Sequence, residues 1–214
     1  MPWDDAWWTT QIRTLVERNG GGNQSLYLQV TRGEEFGRDH RFPASATPTV
    51  SVAASDFYGP GVRNAHAGER LVPTVLGGRT MRVLGSLDQP HSFTYMADLA
   101  AAMIIAAGRQ DLWNSFLHAP TAPPPTQRRL VEMVAAAGGV RVPRMSAIPA
   151  GVLGAAGLFS REMRELAETS YMFSRPFVLD SSASEERLGL SPTPVAAGLA
   201  ETVAWWRRQE RAAA

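Results

Sequence analysis

The sequence predicts a mixed α/β fold, and three observations point that way. Short β-type runs, among them Val50-Ser51-Val52-Ala53-Ala54 and Arg82-Val83-Leu84, end in glycine turns. These runs alternate with segments whose apolar residues recur at helical spacing. The chain has 214 residues, 44% of them hydrophobic and 19% charged, which suits a globular protein with a sizeable core.

Residues 4–18 read as a helix. Asp4 or Asp5 can cap its start, and Trp8, Ile12, Leu15 and Val16 share one face. Gly20-Gly21-Gly22 stops it. Residues 25–32 alternate as a strand, with Leu26, Leu28 and Val30 on one side. After a polar connection, residues 49–54 form a second strand able to pair antiparallel with the first. The stretch Ser55-Asp56-Phe57-Tyr58-Gly59-Pro60-Gly61 then turns sharply. Pro60 lacks an N–H, and the flanking glycines accept unusual backbone angles. Such a turn can be a ligand site at the carboxyl edge of an α/β sheet, or an ordinary strand-to-loop turn.

Downstream, residues 67–76 are predicted as a helix and 82–86 as a strand and turn. Residues 90–95 run extended into a helix that reaches about Gly108. Residues 113–119 read as a strand, followed by a proline-rich connection. Thr126 can cap a helix over 127–137, which Gly138-Gly139 ends, and a strand is predicted over 140–145. Residues 149–167 hold one bent helix or two, 177–180 are extended, and 184–190 form a short helix. Residues 194–208 make an amphipathic helix with Val195, Leu199, Val203 and Trp206 on one face.

Composition removes several function classes. A net charge of +1 gives no electrostatic case for nucleic acid or an anionic membrane. The apolar run over 99–107 is too short to span a bilayer, and the acidic start lacks the basic region of a secretory signal. A cytoplasmic location is the expectation. Without cysteine, disulfides and thiolate chemistry are excluded. The four histidines, His40, His66, His91 and His118, show no metal-ligand spacing. All 21 basic residues are arginine, so no lysine amine can form a Schiff base.

Several ordered motifs run from the Ser55 turn to the C-terminal helix. They are Ser55-Asp56-Phe57-Tyr58-Gly59-Pro60-Gly61-Val62, then His91-Ser92-Phe93-Thr94-Tyr95 with Asp98-Leu99-Ala100, then Leu188-Gly189-Leu190-Ser191-Pro192-Thr193-Pro194, then Thr202-Val203-Ala204-Trp205-Trp206. This order resembles the C-terminal half of an extended short-chain dehydrogenase/reductase, in the NAD-dependent epimerase/dehydratase branch. The resemblance implies a partial Rossmann-like sheet edge with a mixed, partly helical substrate-binding region. It implies NAD or NADP as cofactor and a sugar-nucleotide or other small carbonyl or hydroxyl substrate. By that resemblance Tyr58, Gly59 and Pro60 lie beside the nicotinamide. Asp56, Phe57, Phe93 and Tyr95 line the substrate pocket, and Arg82 can meet an anionic substrate group. Asp98 reads as structural, near the start of its helix.

The chain departs from that pattern in two places. No strand leads into a Gly-x-x-Gly-x-x-Gly turn, whose backbone N–H groups would hold a pyrophosphate, because Gly20-Gly21-Gly22 follows a helix. Nor is there a Tyr-x-x-x-Lys, which would supply the acid/base tyrosine and its lysine partner. The chain by itself is therefore expected to be inactive in that chemistry.

The preceding segment carries Leu15-Val16-Glu17-Arg18-Asn19-Gly20, Tyr27-Leu28-Gln29-Val30-Thr31-Arg32-Gly33 and Arg38-Asp39-His40-Arg41-Phe42-Pro43. It resembles a class IV aminotransferase of the D-amino-acid branch, which implies that Arg38 and His40 bind a substrate carboxylate. The same two residues also fit a solvated loop. Pyridoxal phosphate is not expected, since the lysine that would bond it is absent. The sequence thus reads as an aminotransferase-like fragment over 1–50 joined to an epimerase/dehydratase-like region over 51–214. Beside a small-molecule substrate, it leaves open a binding or assembly role, including a homo-oligomer formed through an exposed sheet edge.

Overall fold

The computed structural model describes residues 50–63, 65–148, 151–152 and 160–213, together with Thr10, Arg13, Thr14 and Glu17. Those four early residues are helical, within the predicted 4–18 helix. The predicted strand over 25–32, its antiparallel pairing, Arg38 and His40 lie outside the described residues. The chain divides into two compact units, Met1–Ala46 and Thr47–Ala214.

Among the described residues of the second unit the strands are short and every strand pairing is parallel, beside an isolated antiparallel bridge between Pro90 and Thr126. β1 (Ser51–Ala53) pairs with β5 (Phe116–His118), β2 (Asp56–Tyr58) with β4 (Phe93–Tyr95), and β3 (Met81–Leu84) with β6 (Met145–Ile148). Parallel neighbours require a crossover, and each crossover here contains at least one helix. The described helices include α1 (Val72–Leu76), α2 (Met96–Gly108), α3 (Gln127–Gly138), α4 (Arg161–Thr169), α5 (Tyr171–Ser174), α6 (Ser182–Leu188) and α7 (Val195–Ala213). The fold class is mixed α/β, as predicted.

Two apolar clusters hold these elements. In the larger, Val72 and Val75 of α1 meet Leu130, Val131 and Val134 of α3 and Leu199, Val203 and Trp206 of α7, with Tyr58, Phe93 and Tyr95 from the β2–β4 pair. The predicted α7 stripe is the buried stripe. The smaller cluster joins Ala102 and Ala106 of α2 to Leu112, Leu117 and Leu188. α3 begins as its sequence dictates, with the Arg129 N–H donating to Thr126 Oγ1 at 3.1 Å. Gly139 ends it in the left-handed conformation, at φ 60°.

Some boundaries differ, for local reasons. The 67–76 helix is confined to Val72–Leu76. Before it the backbone folds back so that a Cβ on Gly68 would sit 2.4 Å from the Arg63 carbonyl. The 113–119 strand shrinks to Phe116–His118 because Asn114 has φ 57°, which breaks an extended run. The 140–145 strand begins only at Met145. Pro143, with no N–H for a ladder, precedes it, and the pairing with β3 fixes Met145 opposite Met81.

Candidate functional site

The β2–β4 pair builds the region that the sequence singles out. Its register sets Asp56 opposite Phe93, Phe57 opposite Thr94 and Tyr58 opposite Tyr95. Side chains alternate along a strand. Tyr58 therefore points into the core at 1% exposure, while Phe57 faces outward at 38%. Asp56 is half-buried, Pro60 is exposed, and Phe93 and Tyr95 are buried. Arg82 faces solvent between the buried Met81 and Val83 of β3. Of the predicted residues in the described region, Phe57 and Pro60 are exposed, Asp56 is half-buried at the start of β2 on the side opposite Phe57, and Tyr58, Gly59, Phe93 and Tyr95 are buried.

The turn itself depends on Gly59, whose φ of 143° is one that side chains rarely tolerate. A Cβ there would come within 3.2 Å of the Tyr95 ring and 3.3 Å of Met96 Cβ. Behind the turn a chain of hydroxyls fixes β4. The Ser55 N–H donates to Thr94 Oγ1 at 3.0 Å, and Ser55 Oγ donates to the Ser92 carbonyl at 2.5 Å. Thr121 Oγ1 donates to the Ala119 carbonyl at 2.9 Å. The 2.8 Å contact between the two threonine hydroxyls must then run from Thr94 to Thr121.

Both tyrosines are committed to the interior. Tyr95 Oη donates to Glu201 Oε2 at 2.5 Å, and burial followed by that carboxylate pushes its pKa up to about 12. The Tyr58 ring lies 5.3 Å from the Tyr95 ring and presses on Gly198 of α7, where a Cβ would be 2.7 Å from its oxygen. Its hydroxyl is buried without a hydrogen-bond partner, and burial, then the Asp98 carboxylate, raises its pKa well above the ordinary tyrosine value. Two consequences can be measured. Because the folded pKa values exceed the unfolded ones, this contribution to stability is complete below about pH 10 and is lost as pH rises above it. Each tyrosine then steepens the alkaline loss by up to about 1.4 kcal/mol per pH unit. Tyr58→Phe, which removes an unpaired buried hydroxyl, is expected to leave thermal stability unchanged or raise it by about 1 kcal/mol.

Asp98 lies in the first turn of α2 but does not cap its own helix. Its carboxylate accepts from the Thr193 N–H and Oγ1, each at 2.7 Å, tying α2 to the loop before α7. Its role is structural. The sequence offers no sign of a second polar cluster beneath Asp56. His91, 1% exposed, places Nε2 at 2.7 Å from Asp56 Oδ2 and Nδ1 at 3.2 Å from the Met172 carbonyl. His66 Nε2 meets Gln127 Oε1 at 2.8 Å, and burial lowers the His66 pKa. Phe93, Phe173 and Phe177 surround the two imidazoles. His91 does sit inside the quoted His91-Ser92-Phe93 motif, but its partners lie 35 and 81 positions away, beyond the reach of a spacing argument.

Two of the described helix starts offer no pyrophosphate cradle. β4 runs straight into α2 with no glycine between them, and Asp98 sets a carboxylate in the first turn of that helix. α3 starts at a threonine cap that uses its own amide donor. Neither makes the open backbone cradle that a pyrophosphate needs. Among the described residues no group of three or more carboxylates and imidazoles is arranged to hold a metal ion, and no helix is long and apolar enough to cross a membrane.

The fold is of the Rossmann-like α/β class. Over 76% of its length the chain superposes on 46% of the UDP-glucuronic acid 4-epimerase from Bacillus cereus, solved with UDP-glucuronic acid and NAD, with a TM-score of 0.58 and 17% identity. MoeE5, solved with UDP-glucuronic acid and NAD, matches 75% of the chain over 47% of its own length, with a TM-score of 0.58 and 22% identity. In sequence the chain is 27% identical over 191 residues to a dTDP-4-dehydro-6-deoxy-D-allose reductase of Streptomyces sp., covering 86% of this chain and 51% of the reductase. The chain thus spans about half the length of these proteins. The 86% share is more than residues 51–214 alone could supply, so the match reaches upstream of Ser51. No family model matches the chain.

Proposed function

We propose that the region from Ser51 onward is the substrate-binding half of an NAD(P)-dependent epimerase/dehydratase-type protein acting on a sugar nucleotide, and that this chain alone binds sugar but performs no redox step. The parallel β2–β4 pair carries this reading, because the turn at its carboxyl end exposes Phe57 and Pro60, with Asp56 half-buried at the start of β2. Ligands of open α/β sheets bind at such carboxyl edges. The likeness in fold to two proteins solved with UDP-glucuronic acid, and in sequence to a dTDP-sugar reductase, supports the substrate class. Asp56 can accept hydrogen bonds from sugar hydroxyls, and Phe57 and Pro60 offer apolar surface to a ring. The two tyrosines are too deeply engaged to exchange protons with a ligand. With no pyrophosphate cradle and no lysine, the described residues support no hydride-transfer step.

Calorimetry on the full chain tests this reading. UDP-glucuronic acid or a dTDP-hexose is expected to bind, and Asp56→Ala to weaken that binding at least tenfold, about 1.4 kcal/mol. NAD(H) is expected not to bind. Micromolar NAD(H) affinity would overturn the inactive reading, and absence of any sugar-nucleotide heat would overturn the substrate reading.

A second reading, an assembly module, is favoured by the outer face of α2. Ala97, Ala100, Met103, Ile104 and Ala107 are all exposed there, with Met103 at 55% and Ile104 at 74%. A helix that is apolar on both faces is ordinarily covered. Light scattering across a concentration series checks it: a monomer at every concentration ends the self-association form.

A further inference from the structure

We propose that the groove between the last turn of α3 and the outer side of α7 binds a small phosphate monoester carrying a short apolar group. The groove has a volume of about 290 Å³ and runs along α7 to Arg207, Arg208 and Arg211. Its lining follows helical spacing: Ala200, Ala204, Arg208 and Arg211 stand at i, i+4, i+8 and i+11, beside the buried Leu199, Val203 and Trp206 stripe. Ala137 of α3 faces them. The floor is therefore apolar and the rim basic. Ala137, Ala200 and Ala204 are exposed, each with one methyl group, which is too short to fill the space between two helices.

The three guanidinium groups lie within two turns of one helix, and no carboxylate among the described residues pairs with any of them. Arg207 and Arg211 stand at i and i+4, where like charges repel. Of the two acidic residues on α7, Glu201 accepts from the Tyr95 hydroxyl, and Glu210 forms no ion pair among the described residues. Two of the guanidinium forks are already held in place. An Arg207 amino group donates to the Gly138 carbonyl, and Arg211 Nε donates to the Arg207 carbonyl at 3.3 Å. Each guanidinium has five N–H donors, so most of both forks remains open to a ligand, and a held fork loses less freedom on binding. Arg208 has no partner among the described residues. The acceptors at the end of α3 are occupied, since the Ala135, Ala136 and Gly138 carbonyls accept from Val140 N–H, Gly139 N–H and Arg207. Cations at a helix end offset its dipole, which accounts for the charge but not for an apolar hollow beneath it.

A phosphate monoester matches both parts of the groove. Its terminal oxygens are strong acceptors with more than one negative charge among them, and guanidinium forks bind such oxygens in pairs. Its ester group supplies the apolar body for the alanine floor. The volume lies near the lower end of small-molecule sites, which suits a single ring or a short chain. Inorganic phosphate would meet the arginines and leave the floor uncovered.

None of these residues belongs to the β2–β4 edge, so the inference does not rest on the sugar-nucleotide reading and survives its failure. Its test is calorimetric titration of the full chain, at low salt, with phenyl phosphate, inorganic phosphate and phenol. Phenyl phosphate is expected to bind about fivefold or more tightly than inorganic phosphate, and phenol not to bind. Arg208→Gln removes a guanidinium that holds nothing else in place, and should weaken phenyl phosphate about fivefold or more. Ala204→Glu sets a carboxylate on the exposed floor, one turn from Arg208, and should abolish binding while the far-UV circular dichroism stays unchanged. Arg129→Gln, at the other end of α3, and Asp56→Ala, on β2, should change the affinity by no more than about twofold. Absence of phenyl phosphate heat would overturn the proposal. Equal affinity for phenyl and inorganic phosphate would also overturn it, by showing a basic surface that makes no use of the floor. So would undiminished binding by Arg208→Gln or Ala204→Glu, or a loss in Asp56→Ala matching theirs, which would put the ligand at the β2–β4 edge.

Discussion

Alanine at Gly85 is expected to destabilise the protein by roughly 3–5 kcal/mol, among the largest effects of any single methyl group in this chain. Gly85 ends β3 with φ 70°, which for any other residue costs about 1–2 kcal/mol by itself. The space is also filled. A Cβ there would lie 2.4 Å from the Phe173 carbonyl oxygen, 2.5 Å from its carbon and 2.8 Å from the Ser174 nitrogen. All three are backbone atoms, which cannot swing aside as the tip of a side chain can. The same close approach lets the Ser86 N–H donate to the Phe173 carbonyl at 2.8 Å, so Gly85 is the floor on which α5 sits. Gly61→Ala is the matched control. Its φ of 83° is equally unfavourable, but a Cβ there meets nothing within 4 Å, and a cost of about 1–2 kcal/mol is expected. Urea unfolding of the two variants measures the difference. Equal losses would show that the α5 segment yields to the methyl group and is not seated on Gly85.

What was legible in the sequence follows from how far apart the cooperating residues lie. Thr126 caps a helix that starts one residue later, and Gly139 ends it immediately after, so these signals are local and readable, whereas the short helix expected over 184–190 stops at Leu188, before the left-handed Gly189. The buried stripe Val195, Leu199, Val203 and Trp206 is readable for the same reason, since periodicity alone defines it. Strand partners are different. Every pairing among the described strands is parallel, and residues such as Met81 and Met145 come together only through long crossovers, so the Val140 run looks as strand-like as Met145–Ile148 until Met81 fixes the register. The site divides along the same line. The Gly59-Pro60-Gly61 turn is visible as composition, but the sequence places the strand over 49–54, and only the pairing with β4 makes Asp56–Tyr58 a strand whose Phe57 and Tyr58 face opposite ways. That His91 supports Asp56, that Asp98 holds Thr193 and that Tyr95 reaches Glu201 are contacts across 35, 95 and 106 positions. No spacing rule spans such distances.

Leu199→Ala is expected to cost about 2–5 kcal/mol, which is a large part of the stability of an ordinary domain. Leu199 is fully buried in α7, in the cluster that also contains Tyr58, Val72, Leu130 and Val134. Its removal leaves a cavity against α3, and the surroundings cannot close over it easily. Next to it on α7, Gly198 already carries the Tyr58 ring at a separation that leaves no room for a Cβ. The comparison variant is Met103→Ala on the outer face of α2, at 55% exposure, which is expected to change stability by no more than about 0.5 kcal/mol in a monomer. Chemical denaturation followed by tryptophan fluorescence reads both, because Trp205 and Trp206 lie on α7 against the same cluster. The pair of variants separates two sources of order. If α7 is the keel of the α/β unit, Leu199→Ala lowers the midpoint of a single transition without splitting it. If α7 only rests on the strand pairs, the fluorescence transition moves ahead of the far-UV circular dichroism one. If Met103→Ala proves as costly as Leu199→Ala, the outer face of α2 is covered in solution, and the assembly reading gains the support that light scattering would then have to match.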